Sequence, residues 1–338
     1  MGRPPEDLQQ SLRDMGLLEA GQTVSGEQLT GGVASDIWRV EAGGITVCVK
    51  RALEQLKVSQ QWRVPTDRNA YEVAWFEVVA GIAPQAVPRI LGHDPVAGVF
   101  VMEYFPAQYY PVWKAQLRDG VVVQETIVAL AEVLVQIHAA TAGDPQIADR
   151  FSTDELFYSL RLEPYFYATA QSHPELASQL AGLAEMVGDN KRALVHGDFS
   201  PKNILVGERG PIILDAECAW YGDPAFDLAF CLNHLLLKGI WNPPARAALA
   251  EGASLLYESY LKQVSWEPPA ELAARAAAIL PGLMLARIDG KSPAEYIVEE
   301  SDKVQVREFA RRFLLQRTCS PQEIVTAWAQ TGSLATAG

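Results

Sequence analysis

Cysteine is scarce in this sequence, and the cysteines present are not paired. Only four occur among 338 residues, at Cys48, Cys218, Cys231 and Cys319, and they are scattered along the chain. A structural zinc site needs closely spaced cysteine pairs, and a disulfide framework needs a much higher cysteine density. We therefore expect reduced, mostly buried thiols.

Positive charge and long apolar runs are also in short supply. The 28 Lys and Arg residues face 41 Asp and Glu residues, which gives a formal net charge of −13. Such a chain repels phosphodiester backbones, so we expect no nucleic-acid partner. No run reaches the roughly 18 apolar residues of a membrane span, and residues 1–20 hold no signal-peptide core. We expect a cytoplasmic protein without a membrane partner, acting as a monomer or homodimer.

The sequence pattern of the N-terminal third predicts a small β-sheet. An amphipathic helix opens the chain, and two β-rich runs, DIWRVE and ITVCVK, follow around the turn at 42–44. Residues 67–82 have a helical pattern, and RILGHDPVAGVFVMEYF then predicts a strand, a turn and a strand. A single core rarely grows beyond about 250 residues, so we predict a separate N-terminal lobe over residues 1–104.

From residue 105 to 338 the pattern is mostly helical. Two short β-like runs, ILV and IIL, interrupt it and are linked by residues 207–210. The chain is therefore predicted to be an α+β protein with a small β-rich lobe and a larger helical lobe. Helices are predicted at 122–141, 153–162, 174–188, 225–238, 244–263, 270–286 and 304–316.

The stretch ALVHGDFSPKNILV, residues 193–206, places Asp198 and Asn203 five positions apart between two apolar runs. Asp215 follows the second β-like run, and an antiparallel hairpin would bring Asn203 and Asp215 to the same end of the ribbon. Oxygen donors of this kind suit Mg²⁺, and a nearby carboxylate can receive a hydroxyl, as phosphoryl transfer requires. The alternative is a loop whose polar residues only cap the turn.

Three separated motifs resemble one family. H-G-D-F-S-P-K-N, then D-A-E, then G-D-P-A-F-D-L-A is similar to the aminoglycoside phosphotransferase and choline kinase-like superfamily. The resemblance implies a two-lobed protein kinase-like fold and ATP-dependent transfer of the γ-phosphoryl group to a hydroxyl of a small polar metabolite, sugar or amino alcohol. WRVPTDRNAYE and ARIDG also resemble the methylthioribose kinase branch, which implies a sugar-like acceptor.

The same resemblance implies roles for individual residues around the HGD stretch. Asp198 would be the catalytic base, Asn203 and Asp215 the Mg²⁺ ligands, and Glu217 a second metal contact. Asp227 would brace the catalytic loop from the following helix. His196 is expected to pack and hydrogen-bond the loop rather than react.

The resemblance also implies a nucleotide site in the small lobe. Lys50, at the end of ITVCVK, would hold the phosphates of ATP, and Glu72 would pair with it; Glu77 is less well placed. The alternatives are a solvated lysine at a strand end and an ordinary surface glutamate. The phosphate cover and the adenine hinge are assigned to Gly31, Gly32, Ser35, Met102, Glu103, Tyr104 and Phe105.

Acceptor contacts are expected in the helical lobe. Only eleven residues separate Asp215 from Asp227, which leaves no room for the activation segment of a protein kinase and favours a small-molecule acceptor. Two other functions stay open: a catalytically silent nucleotide-sensing module and a hydrolase that uses Asp198 and His196. The candidate acceptor contacts are Ser200, Arg161, Tyr165, Trp220, Arg287 and Asp289, although solvated charges at a helix end explain the last two equally well.

Overall fold

The computed structural model of the chain describes residues 2–19, 21–29, 35–53, 68–316 and 320–331. Its N-terminal part is a five-stranded antiparallel sheet in the order β1-β2-β3-β5-β4. Two helices accompany the sheet, α1 (Glu6–Asp14) and α2 (Arg68–Ile82). The strands are β1 (Ser25–Gln28), β2 (Ser35–Ala42), β3 (Ile45–Ala52), β4 (Ile90–Asp94) and β5 (Val99–Glu103).

Both faces of the sheet are covered, and the alternation of side chains along each strand decides which face a residue occupies. Val47 and Val49 of β3 face one side and pack with Leu8 and Leu12 of α1. Cys48 faces the other side, where α2 packs. Because side chains alternate along a strand, Lys50 lies on the same face as Cys48 and points towards α2. The predicted hairpins β2–β3 and β4–β5 are confirmed.

Beyond β5 the chain is mostly helical, as predicted. A π-helical segment, Tyr158–Tyr167, continues the helix that was expected to end at residue 162, so this prediction was too short. Four helices, α3, α5, α7 and α13, were not predicted. The helices are α3 (Trp113–Arg118), α4 (Gln124–Thr141), α5 (Pro145–Arg150), α6 (Asp154–Phe157), α7 (Ala168–Ser172), α8 (Ala177–Asp189), α9 (Pro224–Trp241), α10 (Arg246–Leu261), α11 (Pro269–Asp289), α12 (Glu300–Leu315) and α13 (Pro321–Thr331).

Two small antiparallel ribbons are set into the helical part. Strand β6 (Ala193–Val195) pairs with β9 (Trp220–Gly222), and β7 (Ile204–Gly207) pairs with β8 (Gly210–Ile213). The HGD stretch is the connection from β6 to β7. It is therefore held at both ends by strands and lies beside the segment that follows β8.

The largest helices form the interior of the C-terminal part. Almost every residue of α9 is buried, and α11 packs along it. Among the described residues, α11 is the one helix whose length and composition would suit a membrane span. Of the most apolar stretch of α11, 67% is buried within the fold, which is typical of a core helix.

Candidate active site

The β7–β8 hairpin brings two predicted metal ligands to one end. Ile204 pairs with Ile213, and the Leu214 N–H donates to the Asn203 carbonyl at 2.8 Å, so the ribbon closes just before β7 and just after β8. Asp215 follows with φ of 64°, a left-handed conformation that Asp tolerates better than most residues. The hairpin predicted from the two apolar runs is confirmed.

The loop between β6 and β7 is held by a carboxylate from α9. The backbone N–H groups of His196 and Gly197 donate to Asp227 at 2.7 and 2.9 Å. Gly197 has φ of 74°, and a Cβ there would lie 2.4 Å from the Cys218 carbonyl oxygen. Only glycine fits this position, which explains the G of the HGD motif.

The His196 ring connects the loop to the hairpin. Its Nδ1 accepts the Asp198 N–H at 3.1 Å, so the proton is on Nε2, which donates to the Leu214 carbonyl at 3.0 Å. Burial lowers the pKa of His196 despite the attraction of Asp227 and Asp198, and the ring is neutral. Both ring nitrogens are engaged by the backbone, which argues against the hydrolase alternative and agrees with a structural role.

Asp198 is held through one of its two oxygens. Arg161 Nη2 at 3.0 Å and Lys202 Nζ at 2.9 Å both contact Oδ2, whereas Oδ1 has no partner among the described residues. Burial raises the pKa of Asp198, but Lys202 and Arg161 outweigh it, so the pKa lies below its usual value. The group is an ionised carboxylate with one oxygen available to accept a hydroxyl.

Asn203 and Asp215 form a donor set that fits a divalent cation. Asn203 Nδ2 donates to the Asp198 carbonyl at 3.0 Å, and Oδ1 accepts nothing from the described residues. Burial raises the pKa of Asp215, but the attraction of Lys50 and Lys202 outweighs burial, so the pKa lies below its usual value and this carboxylate is ionised. No group of three or more His, Cys, Asp or Glu in the described ranges is arranged to hold a metal. A metal ion here would need ligand oxygens as well, as Mg²⁺ usually does.

Lys50 joins the sheet to the hairpin. It is 3% exposed, contacts both oxygens of Glu72 at 2.8 Å, and also pairs with Asp215. Burial raises the pKa of Glu72 to about 7 although Lys50 lowers it, and the negative charge of Asp215 adds to the rise. Lys50 is thus buried at an ionic centre rather than solvated, and Glu77 pairs elsewhere, with Arg150.

Glu217 has a buried partner that the sequence did not reveal. Arg68, at the start of α2 and 1% exposed, donates to Glu217 at 3.0 Å. Burial and the neighbouring Asp215 raise the pKa of Glu217. The charged start of α2 was the available signal, but only the fold shows that it reaches the residue two places after Asp215.

The predicted hinge contacts the turn of the β7–β8 hairpin. Arg209 in that turn pairs with Glu103 at 2.8 Å, and its guanidinium lies 5.3 Å from the Phe105 ring. Tyr104 lies 5.4 Å from the Arg39 guanidinium, and Met102 is buried in the larger core. Sequence reasoning missed Arg209. The hinge and the hairpin are thereby tied into one unit.

The predicted phosphate cover is only partly described. Ser35 begins β2 and is buried, in register with Ala52 of β3. Gly31 and Gly32 lie outside the described residues. Their role stays a prediction.

Of the predicted acceptor contacts, Arg161 and Ser200 lie at or in the loop that carries Asp198, Tyr165 lies beside Arg161, and Arg287 lies on α11. Arg161, besides reaching Asp198, donates to the Gly197 carbonyl and lies 5.9 Å from the Tyr165 ring. Ser200 is fully buried and its hydroxyl has no partner among the described residues. Arg287 donates to the Ser292 hydroxyl at 2.8 Å, and its Nε has no partner in the described part of the chain.

The other two acceptor candidates have partners within the fold. Trp220 stacks on Phe157 with ring centroids 4.3 Å apart, and its indole donates to Asp154 at 2.9 Å. Asp289 accepts from His173 and Arg307, each at 2.8 Å. In the described part of the chain, neither contacts Asp198. The structure does not bring these two together with the catalytic loop.

A small sheet with a buried lysine–glutamate pair is followed by helices that carry the Asp198 loop and a hairpin with Asn203 and Asp215 at one end. This arrangement defines a protein kinase-like fold. The model of the family described as "Phosphotransferase enzyme family" matches residues 25–284, and the chain belongs to this family. The predicted resemblance and fold class are confirmed.

Known relatives agree with this assignment. The chain is 29% identical over 226 residues to a methylthioribose kinase from Erwinia tasmaniensis, covering 58% of this chain and 55% of the relative. It is 26% identical over 267 residues to one from Pectobacterium atrosepticum, covering 69% and 65%. The chain thus spans 55 to 65% of these relatives' lengths. An amicoumacin kinase bound to AMP-PNP and Ca²⁺ has the same fold, with TM-score 0.59, 13% identity, and 94% and 96% coverage.

Proposed function

We propose that this protein is an ATP-dependent kinase that transfers the γ-phosphoryl group to a hydroxyl of a small polar metabolite, sugar or amino alcohol. One observation carries the proposal: Asp198 is fixed through Oδ2, and its Oδ1 has no partner in the described ranges and lies beside the Asn203–Asp215 end of the hairpin. Relatives named methylthioribose kinase support a sugar-like acceptor.

The nucleotide would be held between the sheet and the hairpin. Lys50 would donate to its phosphates, with Glu72 keeping the ammonium in place. Asn203 and Asp215 would hold Mg²⁺, with Glu217 as a further contact. A bound Mg²⁺ would neutralise charge on the phosphates. The hinge at Met102–Phe105 would meet the adenine edge, and the segment with Gly31, Gly32 and Ser35 would cover the phosphates.

Asp198 would act mainly by orienting the acceptor. Its Oδ1 would accept the hydroxyl proton, while Arg161 and Lys202 keep the carboxylate from turning. A lowered pKa makes Asp198 a weak base. Phosphoryl transfer has a loose transition state in most analyses, so the proton leaves late and positioning matters more than basicity.

Asp198→Asn tests this function. We expect turnover on a confirmed acceptor to fall by about 10²–10⁴-fold, the usual contribution of a positioned acid or base, with nucleotide affinity nearly unchanged. Asp149→Asn, at an exposed site on α5, is the matched control. Calorimetry with a non-hydrolysable ATP analogue measures affinity, and single-turnover assays measure transfer. Unchanged turnover in Asp198→Asn would refute the role, and nucleotide binding with no phosphorylated product from any acceptor would identify a silent sensing module.

A further inference from the structure

One face of α9 leads away from the catalytic aspartate. Phe230, His234 and Lys238 follow at intervals of four, so their side chains line one side of the helix. The Arg161 guanidinium that holds Asp198 lies 5.6 Å from the Phe230 ring, and the Phe230 and His234 rings are 5.1 Å apart. Lys238 is two turns beyond Phe230, a rise of about 12 Å along the helix. Long helical side chains lean back towards the helix N-terminus, so the Lys238 side chain shortens this separation.

Lys238 is a buried cation with aromatic neighbours but no acceptor. The residue is 1% exposed, and its Nζ lies 5.3 Å from the Trp241 ring and 4.9 Å from the Tyr296 ring. These rings stack with centroids 4.6 Å apart. Within the described residues, no carboxylate or carbonyl pairs with the ammonium. Burying a charge without a hydrogen-bonding partner is costly, so such a lysine is usually compensated by a ligand or a pairing group.

The surroundings of Lys238 add further positive charge. The Lys114 ammonium lies 5.7 Å from the same Trp241 ring that Lys238 contacts, and it pairs with Glu295. Burial and the neighbouring Lys114 lower the pKa of Lys238 to about 7; Arg287 acts in the same direction, and Glu295 opposes them. Burial also lowers the pKa of His234 well below its usual value, with Arg287, Lys238, Lys202 and Lys114 acting in the same direction. The cluster therefore holds more positive charge than its one carboxylate balances.

Unpartnered polar atoms lie in the same cluster. Arg287 Nε and the Tyr296 hydroxyl are buried and have no hydrogen-bond partner among the described residues. Most buried polar atoms in folded proteins do have a partner, and binding sites are the usual exception. Together with the Lys238 ammonium, Arg287 Nε and the Tyr296 hydroxyl give three hydrogen-bond donors with no acceptor among the described residues. A carboxylate or a phosphate could accept from all three.

We propose that the acceptor carries an anionic group, a carboxylate or a phosphate, which Lys238 and Arg287 bind while its hydroxyl faces Asp198. This inference rests on the proposed kinase function for the hydroxyl, but the anion site stands on its own contacts. It assigns a substrate class: hydroxylated acids or sugar phosphates, in preference to neutral sugars and to amines.

The test compares related polyhydroxy acceptors that carry an anionic, a neutral or a cationic group. Gluconate, gluconamide and glucamine form the carboxylate series, and glucose 6-phosphate, glucose and glucosamine form the phosphate series. Binding to the wild type is measured by thermal shift with the nucleotide site filled by Mg-ADP, and transfer by product mass with Mg-ATP. We expect the anionic member of at least one series to bind about tenfold or more tightly than its neutral counterpart, the scale of one charge-assisted hydrogen bond. The series that shows the preference tells carboxylate from phosphate.

Lys238→Met separates recognition from packing. Methionine keeps the apolar stem and removes the buried charge, so we expect no loss of thermal stability. The preference for the anionic member should disappear through a rise in KM, with kcat at saturation within about threefold, and with the neutral member unaffected. Lys262→Met, exposed at the end of α10, is the control and should match the wild type.

Three results decide the inference. Equal or better binding of the neutral and amine members in both series would overturn it, and so would equal losses for all members in Lys238→Met. Anion binding that depends on Lys238, without phosphorylated product from any member, would support the anion site and contradict the kinase function.

Discussion

Two buried carboxylates of the site, Asp198 and Glu72, have pKa values shifted in opposite directions. Asp198 has two cations on one oxygen, and these lower its pKa although the residue is buried. Glu72 shares Lys50 with Asp215, and burial raises its pKa to about 7. Residues of one type acquire separate tasks when their environments push their pKa values apart. Here Asp198 can receive a hydroxyl while Glu72 keeps the lysine in place.

Lys238 gives a pH dependence of stability at the residue scale. Its folded-state pKa of about 7 lies below the unfolded value, so the unfolded chain binds more protons between about pH 7 and 10.5, and stability rises with pH there. The groups facing it are Lys114, Glu295 and Arg287. We expect Lys238→Met to exceed the wild type in stability at pH 7, by on the order of a few kcal/mol.

This advantage should shrink as the pH approaches 10, and chemical denaturation of the two proteins at pH 7, 8.5 and 10 measures it. Lys262→Met should follow the wild type throughout. A constant difference across this pH range would show that the Lys238 ammonium is not destabilised by burial.

At the scale of elements, the N-terminus of α9 positions the loop that carries Asp198. Asp223 caps this helix by accepting the Ala225 N–H at 3.0 Å and pairs with Arg275 at 2.8 Å. One turn later, Asp227 accepts the two loop N–H groups, and His138 Nε2 lies 3.4 Å from it. A loop alone would not hold Asp198 in one orientation. The buried helix provides the rigid support that the loop lacks.

Asp227→Asn should loosen the loop without touching the nucleotide. An amide leaves one of the two N–H groups without a good acceptor, which costs about 2 kcal/mol in a buried site. We expect kcat to fall about 10- to 100-fold, with nucleotide affinity changed by less than about threefold. Urea unfolding, steady-state kinetics and calorimetry measure the three quantities. Asp189→Asn at the exposed end of α8 is the control, and equal losses of kcat and nucleotide affinity would contradict a positioning role.

At the scale of the whole molecule, the site lies where the sheet meets the helical part. Lys50 of β3 pairs with Asp215, and Arg68 of α2 pairs with Glu217. Glu103 at the end of β5 pairs with Arg209 in the β7–β8 turn. Three ionic contacts thus join the two parts around the same segment. Ligands that bind between them should stabilise the molecule as a unit.

Metal removal tests this arrangement. A ligand that binds the folded state at 100 times its Kd stabilises it by about 2.7 kcal/mol. We expect Mg-ATP to raise the melting temperature more than ATP in EDTA does, because Asn203 and Asp215 would hold the metal against the phosphates. Asp215→Asn should lose this difference, and Asp149→Asn should keep it. An equal rise in EDTA would argue against metal binding by these two residues.

Much of the fold and part of the site were predictable from the sequence. Periodicity of two and of 3.6 residues predicted the hairpins and the long helices, because burying one face imposes that period locally. The helices α3, α5, α7 and α13 were missed, since brief segments depend on their neighbours more than on their own pattern. The end of the helix predicted at 153–162 was wrong because the chain continues through a π-helical segment that contains Pro164.

The sequence by itself determined the order of motifs, the hairpin that brings Asn203 and Asp215 together, and the parity that puts Lys50 on the α2 face. Only the tertiary structure decided the electrostatics: which oxygen of Asp198 is held, that Arg68 reaches Glu217, and that Lys238 is buried without a pairing group among the described residues. The physical reason is the sequence separation over which each property is set. Strand and helix periods are local properties of the chain, whereas the ionisation of a buried group depends on charges brought near it from distant parts of the sequence.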